Sequence, residues 1–309
     1  MSTTRRAFLT QIAAWSAGAL AVPTFRISPA MAAEGAGAQV AVAEGKDYAA
    51  LVQRVLEPLG GIGQFVKRGD RVVVKPNIGW DRTPEQAANT HPEVVEAIVR
   101  LALDAGAREV KVFDRPCNNE RRSYNNSGIL PAVERIGSSR ARCEYVNPRR
   151  FIPVNIEKGK AVHEWELYGD AIRWADCYIN VPIAKHHGLT KLTLGLKNVM
   201  GVCGGRRGQI HQNIAQKLAD LNTVVYAGAE RQLTLIDATR ILLRNGPTGG
   251  NLEDVAERDT LVASPDIVAA DAWTTTLFDH DPKEIEPTVA AYEMGLGEMD
   301  LDRIEVLKG

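Results

Sequence analysis

Most of the sequence patterns that reveal a protein's chemistry at once are missing from this 309-residue chain. Aromatic residues make up only 6% of it and the formal net charge is −1, whereas nucleic-acid-binding proteins usually carry base-stacking aromatics and an excess of Lys and Arg. The serine-hydrolase elbow G-x-S-x-G and the zinc-protease motif H-E-x-x-H are also absent. These absences argue against a nucleic-acid partner and favour a small molecule or another protein.

Cysteine is scarce and is not spaced for a metal cluster. The four cysteines contain no C-x-x-C pair, so neither an iron–sulfur cluster nor a zinc ribbon is supported: Cys117, Cys143, Cys177 and Cys203. Two disulfides, in any of three connectivities, and free buried thiols both remain open. We assign no cysteine a functional role.

Long apolar runs are lacking as well. The run from Ile12 to Val22 is about half the length of a membrane-spanning helix, so it predicts no stable membrane span. It follows Thr4-Arg5-Arg6-Ala7-Phe8-Leu9 and precedes the cleavage-like pattern Ala30-Met31-Ala32, which together predict a removable signal over residues 1–32. The first of these segments resembles the bacterial twin-arginine motif. We therefore expect the twin-arginine export machinery as a partner and a periplasmic or otherwise exported location. A general secretory signal that happens to hold two arginines is the alternative.

The remainder of the chain is predicted to be a linker over 33–40 and a single α/β domain over 41–309. Thr90 and Glu93 form a capping box that predicts a helix ending at Gly106. Alternating strands and helices predict an open, mostly parallel sheet with helices on both faces. The predicted buried strands are 70–76, 109–114, 177–184 and 233–237; the predicted edge strands are 39–43, 260–263 and 303–307; a second long helix is predicted over 210–225.

The connections that follow the buried strands are unusually long and polar. They are predicted over 77–89, 115–126, 185–209 and 245–250. Since the carboxyl ends of parallel strands meet at one edge of the sheet, these loops are expected to converge there and form a pocket.

Basic groups dominate the third connection, and a pocket lined with them would bind a small anionic ligand. We predict Lys185 and His186 as catalytic residues, with His186 moving a proton. The predicted ligand-binding residues are Lys75, Asn77, Thr190, Lys197, Asn198, Gly204 and Gly205. Gly204 and Gly205 would offer backbone N–H groups at a helix start, and Arg206 and Arg207 add positive charge to the same edge.

A metal site is a second use for this edge. Imidazole and carboxylate groups are common ligands of divalent metals, and four of them lie at the predicted strand ends and helix starts: His91, Asp114, His211 and Asp237. A divalent metal is therefore an open alternative, and the cofactor stays unidentified.

Several short motifs together resemble the domain of unknown function 362 family. They include Val-Val-Lys-Pro-Asn at 73–77, Thr-His-Pro at 90–92, Asn-Val-Pro at 180–182 and Leu-Gly-Leu-Lys-Asn-Val-Met-Gly at 194–201. The resemblance continues at 185–190, 211, 220–221, 236–238, 246–249, 264–266, 269–272 and 295–297. It implies no assigned activity. Many relatives carry an added ferredoxin-like module, but this chain lacks the cysteines for one.

Two functions from different classes are consistent with these residues. The first is an enzyme that acts on a small anionic molecule at a basic, glycine-rich pocket. The second is a non-catalytic periplasmic protein that binds a ligand or cofactor, or helps to mature a partner. Removing the predicted signal takes away three arginines and no acid, so the basic edge would stand in a mildly acidic mature protein.

Overall fold

The computed structural model describes residues 37–309. The predicted export signal over 1–32 lies outside the described residues, as does the first half of the predicted linker, residues 33–36. The last residues of that linker belong to the first strand, which begins at Ala38. Within the described part, no helix is long and apolar enough to cross a membrane.

Twelve strands are formed within residues 37–309: β1 Ala38–Glu44, β2 Arg71–Pro76, β3 Glu109–Val112, β4 Ala141–Cys143, β5 Phe151–Asn155, β6 Glu164–Tyr168, β7 Cys177–Val181, β8 Ile183–His187, β9 Lys191–Thr193, β10 Arg231–Leu242, β11 Val255–Ser264 and β12 Ile304–Lys308. Ten of them form one sheet in the order β12-β1-β11-β10-β7-β2-β3-β4, and β8 joins it by pairing with both β10 and β9. Strands β5 and β6 form a separate antiparallel hairpin.

The sheet is mostly parallel, as the sequence predicts. The run β10-β7-β2-β3-β4 is parallel throughout, whereas β11 is antiparallel to both of its neighbours. The carboxyl ends of β2, β3, β7 and β10 therefore lie at one edge of the sheet, and the long polar connections begin there.

Seven α-helices accompany the strands in the described part: α1 Tyr48–Leu56, α2 Pro92–Asp104, α3 Glu120–Asn126, α4 Ile129–Arg135, α5 Ile214–Val225, α6 Ile267–Thr275 and α7 Glu286–Glu293. They cover both faces of the sheet, because strand residues alternate between two hydrophobic clusters. Val72 and Val74 pack in the cluster that holds the apolar residues of α1 and α2, and Val73 packs in the cluster that holds those of α5 and α6. This alternation places the Lys75 side chain on the α5–α6 side of the sheet.

Several predicted boundaries are wrong, for identifiable reasons. The predicted strand 177–184 is two strands, because Pro182 has no N–H to continue the ladder and the chain changes neighbours there. The N-cap of helix α2 lies one residue later than predicted. It is His91 and not Thr90, whose hydroxyl instead donates to the Val181 carbonyl. The long helix begins at Ile214 and not at 210, because Asn213 adopts a left-handed conformation.

Two further corrections concern the sheet edges and the loops. The strands predicted at 39–43 and 260–263 are interior, since β1 and β11 each have two neighbours, and β12 and β4 are the edges. The predicted loop over 115–126 contains helix α3, whose N-cap is the side chain of Asn119. An asparagine-rich, charged segment of this kind gives a weak helix signal.

Candidate functional site

A fully buried ion pair lies where β2 and β3 end. The Lys75 ammonium, which is 0% exposed, lies 2.9 Å from Asp114 Oδ1. It also donates to the Pro76 carbonyl (2.8 Å) and to Asn198 Oδ1 (3.1 Å), so all three of its protons have acceptors. Burial lowers the pKa of Lys75 and the Asp114 carboxylate opposes that shift. Lys75 is therefore engaged within the protein and has no proton left for a ligand.

The Asn198 side chain joins the strand ends into one hydrogen-bonded group. Its amide nitrogen donates to the Lys75 carbonyl and to Asn180 Oδ1, both at 2.9 Å, and its oxygen accepts from Lys75 and from Asn77. Asn180 donates in turn to the Gly195 carbonyl. Asn198 is thus saturated by the protein and positions its neighbours instead of binding a ligand.

The segment that carries Lys197 and Asn198 is a 3-10 helix over Leu196–Val202, held at both ends. At its start, the buried Asp271 carboxylate on α6 accepts from the Gly195 and Leu196 amides at 2.7 and 2.9 Å. Burial raises the pKa of Asp271 to about 7, although these two amides act in the opposite direction. Near its end, Gly201 lies directly over the ion pair: a Cβ there would be 1.7 Å from Asp114 Oδ1.

Lys185 is the second fully buried lysine of the described residues, at 1% exposure, and its surroundings differ from those of Lys75. Its amine donates to the Ala88 carbonyl and to Asn77 Oδ1, both uncharged. Within residues 37–309 no carboxylate lies within 4.0 Å of it. Burial, reinforced by the charge of Lys197, lowers the pKa of Lys185 to about 7. At neutral pH this amine is therefore able both to accept and to release a proton.

Further positive charge lies near Lys185: Lys197 acts on it, and Arg207 acts on Lys197. The half-buried Lys197 touches the Met200 sulfur at 3.3 Å, and burial lowers its pKa to about 8. Arg207 is held by the Pro116 carbonyl at 3.0 Å and by the Cys117 sulfur at 3.4 Å. In the part of the chain that the structure describes, neither residue forms an ion pair. We call Lys185, His187, Lys197 and Arg207 the basic cluster; it reaches the surface at the exposed Cys117.

The structure separates the two adjacent histidines of β8. His186 is half-buried, and its Nδ1 accepts from the Gly246 amide at 3.1 Å. His187 lies two residues from Lys185 and therefore on the same side of the strand. Its Nδ1 accepts from the Leu189 amide at 3.0 Å, and burial together with Lys197 and Lys185 lowers its pKa to about 3. His187 is thus a neutral imidazole beside the lysines, with its proton on Nε2.

Three residues predicted to bind a ligand serve the protein's own structure. Thr190 closes the β8–β9 turn, since its hydroxyl donates to the Leu192 carbonyl at 2.8 Å. The Gly204 amide donates to the Glu166 carbonyl, and a Cβ at Gly204 would contact the Phe151 ring at 2.6 Å. Gly205 adopts a φ of 53°. Neither glycine lies at the start of α5, so the predicted anion cradle at that helix start does not form.

The four predicted metal ligands are not brought together. Asp114 is paired with Lys75, and the exposed His211 contacts the Gly208 carbonyl through Nδ1. Asp237 accepts from the His91 amide, and the His91 ring stacks on Tyr48 at 4.0 Å. Among the described residues, no group of three or more His, Cys, Asp and Glu could hold a metal ion. The four cysteines are free thiols, and burial raises the pKa of Cys203 to about 12.

Sequence reasoning missed His187, Asn180, Asp271 and Cys117 as members or supports of the site. Only His187 had a usable signal, because the two-residue period of a strand places it on the Lys185 side. Asp271 is 76 residues away from the amide that it caps, and nothing local to either residue indicates the contact.

Comparison with known proteins gives three findings. The family model described as "Domain of unknown function (DUF362)" matches residues 72–276. The thylakoid-associated protein sll1697 of Synechocystis sp. is 30% identical over 255 residues, which cover 79% of this chain and 74% of that protein. A crystal structure of a Thermotoga maritima protein aligns over 81% of this chain with a TM-score of 0.46 and 12% identity, and this chain spans 60% of its length.

Proposed function

This chain belongs to the DUF362 family, and we propose that it is an enzyme that acts on a small anionic molecule at the basic cluster. The observation that carries the proposal is the contrast between the two fully buried lysines of the described residues, Lys75 and Lys185. Lys75 is neutralised by Asp114, whereas Lys185, Lys197 and Arg207 have no carboxylate partner among the described residues. An anion placed among them would supply the missing negative charge.

Lys185 is the group that we propose to transfer a proton. Its two hydrogen-bond acceptors match the two N–H groups of a neutral amine, which leaves the nitrogen lone pair without a partner. A pKa of about 7 suits a general acid or base that works near neutral pH. The Asn77 and Ala88 oxygens hold the nitrogen in place while it gains or loses a proton.

The remaining residues of the cluster are proposed to bind the anion. Lys197 and Arg207 supply charge, and His187 supplies its Nε2–H as a neutral donor. His186, our initial candidate for moving a proton, uses Nδ1 to hold the Gly246 amide. We therefore propose that it positions the 245–250 connection and that Lys185 carries the chemistry.

We also propose that the protein reaches the periplasm by the twin-arginine route. This rests on Arg5-Arg6 within the Thr4–Leu9 motif and on the pattern Ala30-Met31-Ala32. Non-catalytic binding or maturation remains the alternative function, and the following experiment distinguishes it.

The test measures sulfate binding by calorimetry and turnover of anionic metabolites by NMR, with wild type, Lys185→Met and Lys191→Met. Lys191 is the matched control, since it lies on the same hairpin but is exposed and paired with Glu284. We expect wild type to convert at least one carboxylate or phosphate ester. We expect Lys185→Met to lose about 100-fold or more in rate, the usual value of a general acid or base, while Lys191→Met keeps the wild-type rate.

Two outcomes would count against the enzyme. Sulfate binding without any turnover would favour the non-catalytic alternative. Absence of sulfate binding in wild type at neutral pH would remove the basis for an anion site altogether.

A further inference from the structure

A surface cavity separate from the basic cluster is bordered by the 115–120 segment, residues 146–151 and strand β6. Its volume is about 400 Å³. Known small-molecule sites have volumes of about 300–1,000 Å³, so the cavity is large enough for a metabolite. None of the residues that line it belongs to the basic cluster.

Three charged side chains line this cavity, and they carry both signs: Arg115, Glu120 and Glu166. Among residues 37–309, none of the three has an opposite charge within 4.0 Å. Glu166 acts on the charge of Arg115 only from farther away. The cavity therefore holds one cation and two anions that do not pair with one another.

The Arg115 guanidinium is held in place without being neutralised. Its Nη1 donates to the Cys203 carbonyl at 2.7 Å, and its central carbon lies 5.8 Å from the centre of the Phe151 ring. Its Nη2 is 3.5 Å from the Gly205 carbonyl, which is long for a hydrogen bond. Burial, with Arg207 acting in the same direction, lowers the pKa of Arg115. Nη2 is therefore available to an anionic group of a ligand.

The two glutamates are available to a cationic group. Glu166 is exposed and Glu120 is half-buried. Burial raises the pKa of Glu120, as expected of a carboxylate that has no cation beside it. An ammonium carries three N–H groups, so a single one can donate to more than one carboxylate.

The rest of the lining is mainly apolar, and it comprises Pro116, Val146, Pro148 and Phe151. A ligand with an apolar side chain would remove that side chain from water by packing against these residues. The cavity thus combines three features: a cation, two anions and an apolar wall.

We propose that this cavity binds a free α-amino acid with an apolar side chain. Its carboxylate binds Arg115, and its ammonium binds Glu120 and Glu166. Its side chain packs against Val146 and Phe151. An α-amino acid fits because a single carbon joins its two charged groups, so it brings both signs to charges that do not meet each other. This proposal does not rest on the function proposed for the basic cluster.

The test is a calorimetric titration of the protein with leucine at neutral pH, and with two analogues that each keep one charge. Isocaproate lacks the ammonium, and isoamylamine lacks the carboxylate. We expect leucine to bind with a dissociation constant of about 1 mM or below, as its small size allows. Each analogue should bind about tenfold or more weakly, because it loses the hydrogen bonds to one charged group. Glycine should also bind about tenfold more weakly, because it has no apolar side chain.

Two variants assign the two ends of the ligand. Glu166→Gln should weaken leucine binding about tenfold and leave isocaproate binding within about threefold. Arg115→Met should weaken leucine binding about tenfold or more and leave isoamylamine binding within about threefold. Glu164→Gln is the matched control, since Glu164 is exposed on the same strand as Glu166 but does not line the cavity. If Arg115→Met does not fold, Glu166→Gln and the two analogues decide by themselves.

Three results would overturn the proposal. The first is that leucine does not bind, or binds wild type and Glu166→Gln equally well. The second is that isocaproate binds wild type as tightly as leucine does, which would indicate a simple carboxylate site. The third is that isoamylamine does so, which would indicate an amine site in which Arg115 has no part.

Discussion

The two fully buried lysines of residues 37–309 have opposite electrostatic environments, and the difference lies in the atoms within hydrogen-bonding distance. Lys75 has three acceptors, one of them the Asp114 carboxylate, which suits an ammonium. Lys185 has two acceptors, both uncharged, which suits an amine. Desolvation disfavours the charged form of both, but only Lys75 has an opposite charge within hydrogen-bonding distance to offset it.

This contrast predicts the pH dependence of anion binding. Lys185 and Lys197, with pKa values of about 7 and about 8, are cationic below these values and lose their charge as the pH rises through them. We therefore expect sulfate binding, measured by calorimetry, to weaken about tenfold or more between about pH 6 and pH 9. Sulfate is a suitable probe because its own charge is constant over that range.

A variant separates the two contributions. Lys197→Met should leave a single weakening, that of Lys185, and should move it above pH 7, because the charge of Lys197 no longer lowers the pKa of Lys185. An affinity that is independent of pH in wild type would show that neither lysine changes its charge in this range.

Among the elements, the 3-10 helix Leu196–Val202 has the strictest geometric requirement. It is anchored by Asp271 at one end and crosses the Lys75–Asp114 pair at Gly201. A side chain at Gly201 would overlap the carboxylate, and Lys75 Nζ would lie 2.5 Å from the added Cβ. Because both ionic groups are buried, they cannot move apart without losing their partners.

We accordingly predict that Gly201→Ala lowers the free energy of unfolding by about 3–5 kcal/mol, the usual cost of separating a buried pair, as measured by urea denaturation. Gly63→Ala is the matched control, because no atom lies within 4 Å of its added Cβ, and it should change stability by less than about 1 kcal/mol. If Gly201→Ala lowers the free energy of unfolding no more than Gly63→Ala does, the added methyl group does not disturb the ion pair.

Local sequence patterns predict some of the strands and helices but not others. Strands β2, β3 and β10 and helix α2 follow from apolar runs and helical spacing, because each buries a contiguous apolar surface. The β5–β6 hairpin and the short β9 were not predicted. They have partly exposed, mixed sequences whose pairing is decided by neighbours outside the segment.

At the scale of the whole molecule, the proposed export by the twin-arginine route rests on the first 32 residues. We expect the Arg5→Lys and Arg6→Lys double variant to leave the unprocessed chain in the cytoplasm of a bacterial host, because the twin-arginine pathway reads the paired guanidinium groups. Cell fractionation and immunoblotting measure this directly. Arg26→Lys, inside the predicted signal but outside the motif, should be exported like wild type. Undiminished export of the double variant would instead indicate the general secretory route.

At the same scale, the sequence by itself determined the family, the mostly parallel sheet and the edge at which polar groups gather. These follow from order along the chain: apolar runs alternate with helical patterns, and polar connections follow the strands. It also predicted Lys185 and Lys197 as site residues, because both are basic and follow a buried strand.

Only the tertiary structure decided what each of these residues does. It paired Lys75 with Asp114 and gave the Asn198 side chain partners within the protein. It placed Thr190 and Gly204 in structural hydrogen bonds. It also kept His91 and Asp237 apart from Asp114. Each outcome depends on which atoms, far apart in sequence, come within about 3 Å of each other. A donor or acceptor that already has a partner in the protein is not available to a ligand.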